Sequence, residues 1–135
     1  MSRVHATRVV ALGAVAAVAL ATAAAPAGAT APAADPGVSS NQIVIGTTTP
    51  LTGPASPGYK DVSPAAAAYF NYVNANGGIN GRKISFIVKD DQYNPAKAKG
   101  ATTELILRNK VFAIFGALGT PTHSAVVADL NRRGI

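Results

Sequence analysis

Three apolar, β-branched runs, each followed by a punctuated helical stretch, leave this chain few folds to choose from. Gln42-Ile43-Val44-Ile45-Gly46, Ile84-Ser85-Phe86-Ile87-Val88 and Val111-Phe112-Ala113-Ile114-Phe115 are short, apolar and bounded by turn residues. Runs of that kind read as buried strands. Between the first two, Ser63 and Pro64 supply an N-cap and a first helical position. Ala66, Tyr69, Phe70 and Val73 then recur at helical spacing, and Asn76-Gly77-Gly78 ends the segment. Between the second and third runs, a helix starting near Pro95 puts Ala98, Ala101, Thr102, Leu105 and Ile106 on one face. Lys97, Lys99, Glu104 and Arg108 lie elsewhere on it, and Asn109-Lys110 closes it. A last periodic segment, Ser124 to Arg133, reads as one more helix. The order β-α-β-α-β-α implies an α/β fold, a three-layer parallel sheet with right-handed crossovers.

The N-terminal part reads differently. Met1 to Arg8 is short and basic, Val9 to Ala24 is a charge-free run of small apolar residues, and Ala27-Gly28-Ala29 offers a cut after Ala29. That is the three-part pattern of a secretory signal peptide over residues 1–29. A membrane anchor is the rival, but about 20 strongly apolar residues are wanted for a span, and this run is shorter and mostly Ala. Residues 30–41 are Ala-, Pro-, Gly- and Ser-rich and form a lead-in. The folded part is expected over residues 42–135.

Composition removes several kinds of chemistry. There is no Cys, so disulfides, thiolate metal sites, cysteine catalysis and a lipid-bearing lipobox are all excluded. Two His with no accompanying carboxylate cluster offer no convincing metal site, and no cofactor is expected. The formal charge is +6, with Arg3 and Arg8 in the leader and the other basic residues scattered. Nucleic-acid binding favours a basic stripe with interleaved aromatics, and the sequence has none. The dinucleotide fingerprint, the phosphate loop and the nucleophile elbow are absent as well. His123 and Ser124 are adjacent but lack a partner acid, and His123 reads as an exposed residue of the first helical turn.

Two loops carry the candidate site. After the third run, Gly116-Ala117-Leu118-Gly119-Thr120-Pro121-Thr122 is rich in Gly and hydroxyls, with Pro121 at an expected first helical position. Unpaired N–H groups at such a turn suit a carboxylate or phosphate. The plainer reading is a βα connection in which Thr120 or Thr122 caps the helix. After the first run, Thr47 to Gly58 carries Pro50, Pro54, Pro57, Gly53 and Gly58, expected to be a long shaped loop without regular structure. Tyr59 at its end either faces a ligand or packs against the sheet. Loops at the carboxyl ends of strands are where open α/β sheets bind ligands. Asp90-Asp91 at the end of the second strand reads as turn-shaping and helix-capping rather than acid–base machinery.

The joint pattern resembles a known family. A leader, Ile43-Val44-Ile45-Gly46, Pro50-Leu51-Thr52-Gly53-Pro54, Asn76-Gly77-Gly78-Ile79-Asn80-Gly81-Arg82-Lys83-Ile84, Asp90-Asp91 and Phe115-Gly116-Ala117-Leu118-Gly119-Thr120 are similar to periplasmic substrate-binding proteins of branched-chain amino-acid-type ABC transporters. The resemblance implies the type I binding-protein fold: two α/β lobes, hinged, closing over a ligand. It implies a sheet order of 2-1-3 for these first three βα units, an incomplete N-terminal lobe. By position it makes Thr120 a hydroxyl donor to a ligand carboxylate, with Leu118, Gly119 and Thr122 beside it and Tyr59 on the opposite wall. The Gly119-Thr120-Pro121-Thr122 version resembles a broader subgroup that takes aromatic acids and other small carboxylates. A non-enzymatic, periplasmic or secreted protein is implied, monomeric at full length and partnered by an ABC permease. The length, against two lobes, suggests a fragment or a truncated frame. A sensing receptor of the same fold, or a secreted α/β enzyme with catalytic residues elsewhere, are the alternatives.

Overall fold

The computed structural model describes residues 35–135. The expected signal peptide and the first five residues of the lead-in, 30–34, lie outside the described residues. Three strands, β1 (Gln42–Thr49), β2 (Lys83–Asp90) and β3 (Ala113–Ile114), form one parallel sheet in the order β2-β1-β3. Five helices follow the strands: α1 (Ser56–Tyr59), α2 (Val62–Ala75), α3 (Pro95–Leu107), α4 (Thr120–Ser124) and α5 (Val127–Arg133).

The sheet order is the expected one, but β1 is longer than the sequence suggests. Thr47, Thr48 and Thr49 continue the strand, paired with Val88, Lys89 and Asp90, and all three are buried. Threonine is β-branched and sits well on a pleated surface. The loop therefore begins at Pro50, and it is not wholly irregular, since Ser56–Tyr59 winds into α1.

The two faces of the sheet are packed differently. Phe70 of α2 meets Phe86 of β2 and Phe115 after β3, each edge-on with ring centroids 5.1 Å apart. Such T-shaped pairs add to what burial alone contributes. On the opposite face, Gly46 lets α3 approach closely: a Cβ there would lie 2.9 Å from Leu105 Cδ2 and 3.1 Å from Val111 Cγ1. Ala98, Val126 and Leu130 form the buried cluster beside it, with Ile106, Ile114 and Ile135 packed around.

The expected helix faces hold for α3 and need correction for α2. Ala98, Thr102 and Leu105 are buried as the periodicity predicts, and Asn94 caps α3 by accepting from Ala96 and Lys97. The cap is Asn94, not the Asp90-Asp91 pair. In α2 the buried positions are Ser63 and Phe70, while Tyr69 is 63% exposed. Helix α2 starts at Val62, after Lys60 and Asp61 of helical backbone that lead on from α1. Ser63 thus lies inside the helix rather than capping it. Asn74 does unexpected work from the same helix. Its side-chain amide donates to Ile84 O (2.8 Å) and accepts from Ile84 N (2.7 Å), covering part of the outer edge of β2. An edge strand blocked in this way is a poorer template for aggregation.

The last helical segment is broken in two. The periodicity predicts one helix from Ser124 to Arg133, but α4 stops at Ser124 and α5 starts at Val127. Val126, at φ −120°, turns inward to join Ala98 and Leu130 in the core. Gly134, at φ 70°, caps α5, and Ile135 N–H reaches back to Leu130 O, an arrangement that satisfies the last carbonyls.

Candidate functional site

The carboxyl ends of all three strands open on the same side of the sheet, and the loop after each contributes there. The loop after β3 is pinned from below: Leu118 N–H donates to Thr48 O (3.2 Å) and Phe115 N–H to Gly46 O (2.8 Å). Gly119, at φ 103°, makes the turn into α4, a backbone that side chains rarely adopt. Its carbonyl accepts from His123 N–H. Among the described residues nothing accepts the N–H groups of Gly119 or Thr120. An open groove of about 340 Å³ lies against this turn, lined by Ala117, Gly119, Thr120, His123 and Ser124.

The structure separates the two threonines that the sequence sets side by side. Thr120 is exposed at the groove. Thr122 is fully buried, and its hydroxyl is within hydrogen-bond reach of Leu118 O and Gly119 O, 2.9 Å each. A hydroxyl committed to the turn's own carbonyls builds the turn and leaves nothing for a solute. His123, expected to be exposed, is half-buried against the groove, and its Nδ1 has no partner among the described residues. Helix α4 is only five residues long, so the macrodipole expected of one long helix is not available. The donors this turn offers are local N–H groups and the Thr120 hydroxyl.

Leu118 faces the other side of the same turn. It lines a narrow cavity of about 40 Å³ with Thr47, Thr49, Phe86 and Phe115. The cavity walls are mostly carbon. The Thr49 hydroxyl, buried beside it, makes no hydrogen bond among the described residues.

The loop after β2 is the part that sequence reasoning underrated. The Asp90 carboxylate accepts from Leu51 N–H (3.0 Å), Thr52 N–H (3.3 Å), Gln92 N–H (3.0 Å) and the Thr52 hydroxyl. It ties the loop after β1 to the loop after β2. Burial, the largest single influence, pushes this carboxyl up, yet the Thr52 hydroxyl and the three N–H groups together hold it below the usual carboxylate value. Asp91 is fully buried and accepts Tyr93 N–H at 2.8 Å, while its Oδ2 has no partner among the described residues. Burial pushes the Asp91 carboxyl up, against the pull of that N–H. Tyr93 in turn stacks on Tyr59, with ring centroids 6.0 Å apart and planes at 11°. Tyr59, the last residue of α1, thus meets a second ring supplied by the loop after β2. Among the described residues no group of three or more His, Asp or Glu could hold a metal ion.

Comparison with known proteins agrees with this geometry. The periplasmic binding protein family matches residues 42–135. A fatty acid ABC transporter substrate-binding protein from Thermomonospora curvata is 40% identical, with a TM-score of 0.67 over 72% of this chain and 24% of its own. The branched-chain amino acid transporter substrate-binding protein of Streptococcus pneumoniae, solved with isoleucine, is 28% identical, with a TM-score of 0.66 over 70% of this chain and 27% of its own. An amino acid binding protein of Pseudomonas aeruginosa is 32% identical over 74 residues, which is 55% of this chain and 20% of that protein. The chain thus spans about a quarter or less of the length of these relatives. The sheet order, the loop convergence and the match over residues 42–135 lead to one conclusion: this chain belongs to the periplasmic binding protein family.

Proposed function

We propose that the chain forms part of an extracytoplasmic solute-binding component of an ABC importer. It takes a small carboxylate and presents it to a membrane permease. The observation that carries the reading is the Gly119–Thr120 turn: two N–H groups without acceptors among the described residues and an exposed hydroxyl, all at the carboxyl edge of a parallel sheet. Donors in that arrangement suit an anionic oxygen pair.

The relatives named above for fatty acid and branched-chain amino acid transport share one ligand feature, a carboxylate on an apolar body. The two sides of the turn fit such a molecule. The carboxylate is received at Gly119 and Thr120, and the apolar body lies toward Leu118 and the Tyr59 wall. Thr122 supports the turn from inside. Amino acids, aromatic acids and alkyl acids are all within this class.

A thermal-shift screen of the protein as its host produces it tests the reading. The ligands are isoleucine, benzoate and octanoate, each beside the amide that replaces its carboxylate. Binding to the folded state raises the melting temperature by mass action. The expected result is a rise with at least one acid and none with its amide. Equal response to acid and amide, or no response to any acid at millimolar concentration, would count against the carboxylate assignment.

A further inference from the structure

Tyr93 touches both of the other loops that build the site, and the chain goes to unusual lengths to hold it there. Its ring stacks on Tyr59. It also closes over Gly119, where a Cβ would lie 2.8 Å from Tyr93 Cε2 and 3.1 Å from Cδ2. The backbone beneath it is strained: Gln92 and Tyr93 sit consecutively in the left-handed region, at φ 53° and 59°. Residues with side chains persist there only when their surroundings over-determine them. Here the two neighbouring carboxylates do so, Asp90 accepting Gln92 N–H and Asp91 accepting Tyr93 N–H. A plain helix-capping loop needs none of this, because Asn94 already caps α3 by itself.

We infer that Tyr93 is a positioning residue for solute recognition: it sets the separation between the Tyr59 wall and the Gly119–Thr120 turn, and so the breadth of carboxylate the site accepts. The inference rests on the solute-binding reading above. Tyr93 acts through its two neighbours rather than by receiving the carboxylate. Gly119 leaves no room for a side chain, since the Thr122 hydroxyl and the Tyr93 ring both occupy the space a methyl would need.

The test uses the protein as its host produces it, with calorimetric Kd values for isoleucine, octanoate and benzoate. Tyr93→Phe keeps the ring and is expected to match wild type. Tyr93→Leu is expected to weaken the best-bound acid by about tenfold, because pre-organisation of the wall is lost. It is also expected to narrow the differences among the three acids. Gly119→Ala adds the ring clash to a backbone penalty and a clash with Thr122 Oγ1 that are the same in either background. Its cost in affinity is therefore expected to be smaller in Tyr93→Leu than in wild type. If Tyr93→Leu does not unfold cooperatively, Tyr93→Trp replaces it. The larger ring is expected to spread the loops and shift the order of preference toward the bulkier acids. Unchanged affinities and order in the leucine or tryptophan variant, or additive effects with Gly119→Ala, would overturn the inference. Failure of wild type to bind any acid would instead sink the solute-binding reading.

Discussion

Replacing Asp90 tests how the site loops are held more directly than any change to the loops themselves. Its carboxylate serves four donors: Leu51 N–H, Thr52 N–H, the Thr52 hydroxyl and Gln92 N–H. Three of the four reach Oδ1. Asp90→Asn can keep an acceptor at that position and loses only the negative charge and the Oδ2 acceptor. Asp90→Ala loses everything. A hydrogen bond to a charged group contributes about 1.5–3 kcal/mol when both partners are shielded. Here Thr52 and Gln92 are exposed, and water takes over part of what is lost. The expected cost is about 2–3 kcal/mol for Asp90→Ala and about 1 kcal/mol for Asp90→Asn. Urea denaturation followed by circular dichroism and tyrosine fluorescence reads both, as the chain has no Trp. The pH dependence supplies an independent check. Because the folded carboxyl is held below its ordinary value, its stabilising contribution is present above the unfolded pKa of 3.8 and is lost as pH falls below it. Asp90→Asn should therefore show a smaller acid-side loss than wild type. Equal stabilities for the Asn and Ala variants, or a wild-type acid limb identical to that of Asp90→Asn, would refute the reasoning.

Four further outcomes follow from the same geometry. Thr120→Ala should weaken binding of the preferred carboxylate by about 1–3 kcal/mol, measured by titration calorimetry, through loss of a donor to a charged group. Asp91→Asn should reverse the pH trend seen at Asp90. Burial raises the Asp91 carboxyl, so the folded state holds its proton longer and wild type gains stability as pH falls through that range. The melting temperature of Asp91→Asn relative to wild type should accordingly rise between pH 4 and pH 7. Leu105→Ala, at a site with no exposure, should cost about 2–5 kcal/mol in urea denaturation. Asn74→Ala removes both hydrogen bonds to Ile84 and should cost about 1–2 kcal/mol, with faster aggregation by light scattering once that edge is uncovered.

The sheet and its connections were legible because they are written in periodicity and punctuation. β-Branched runs gave the strands, Pro95 marked a helix start and Asn76-Gly77-Gly78 a helix end, and the buried face of α3 followed from spacing. What escaped was decided by tertiary contacts. Thr47 to Thr49 looked like a polar loop because threonine is neutral in pattern, and only pairing with β2 makes it strand. Tyr69 fits the apolar stripe of α2 by spacing, but Ala66 and Phe70 already fill the face that meets the sheet, and Tyr69 turns outward. The break at Val126 follows from the pull of Ala98 and Leu130, which no local rule registers. At the candidate site, the Gly-rich turn into α4 was readable from the loop's composition. Tyr93 was not, because its role depends on two rings and a glycine that lie far apart in sequence. The one available clue was the pair of carboxylates just before it.

Those carboxylates raise a question that any anion site here must answer. Two acidic residues beside a receptor for negative charge should repel what it binds. Two unit charges ~8 Å apart in water interact by only about 0.5 kcal/mol, but the same pair in a less polar medium interacts several times more strongly. The chain deals with each acid in its own way. The charge on Asp90 is spread over three N–H groups and a hydroxyl, so its acceptor capacity is spent on the loops. Asp91 is withdrawn from solvent altogether, at a depth where burial favours its neutral form. Both therefore spend their chemistry on the scaffold, while the Gly119 and Thr120 N–H groups have no acceptor among the described residues. On the solute-binding reading, the acids act on a solute only indirectly, by fixing the strained Gln92–Tyr93 backbone beneath the stacked rings. On this account an Asp90 variant that loses stability should also lose affinity, and the affinity loss should shrink when Tyr93 has already been replaced by Leu.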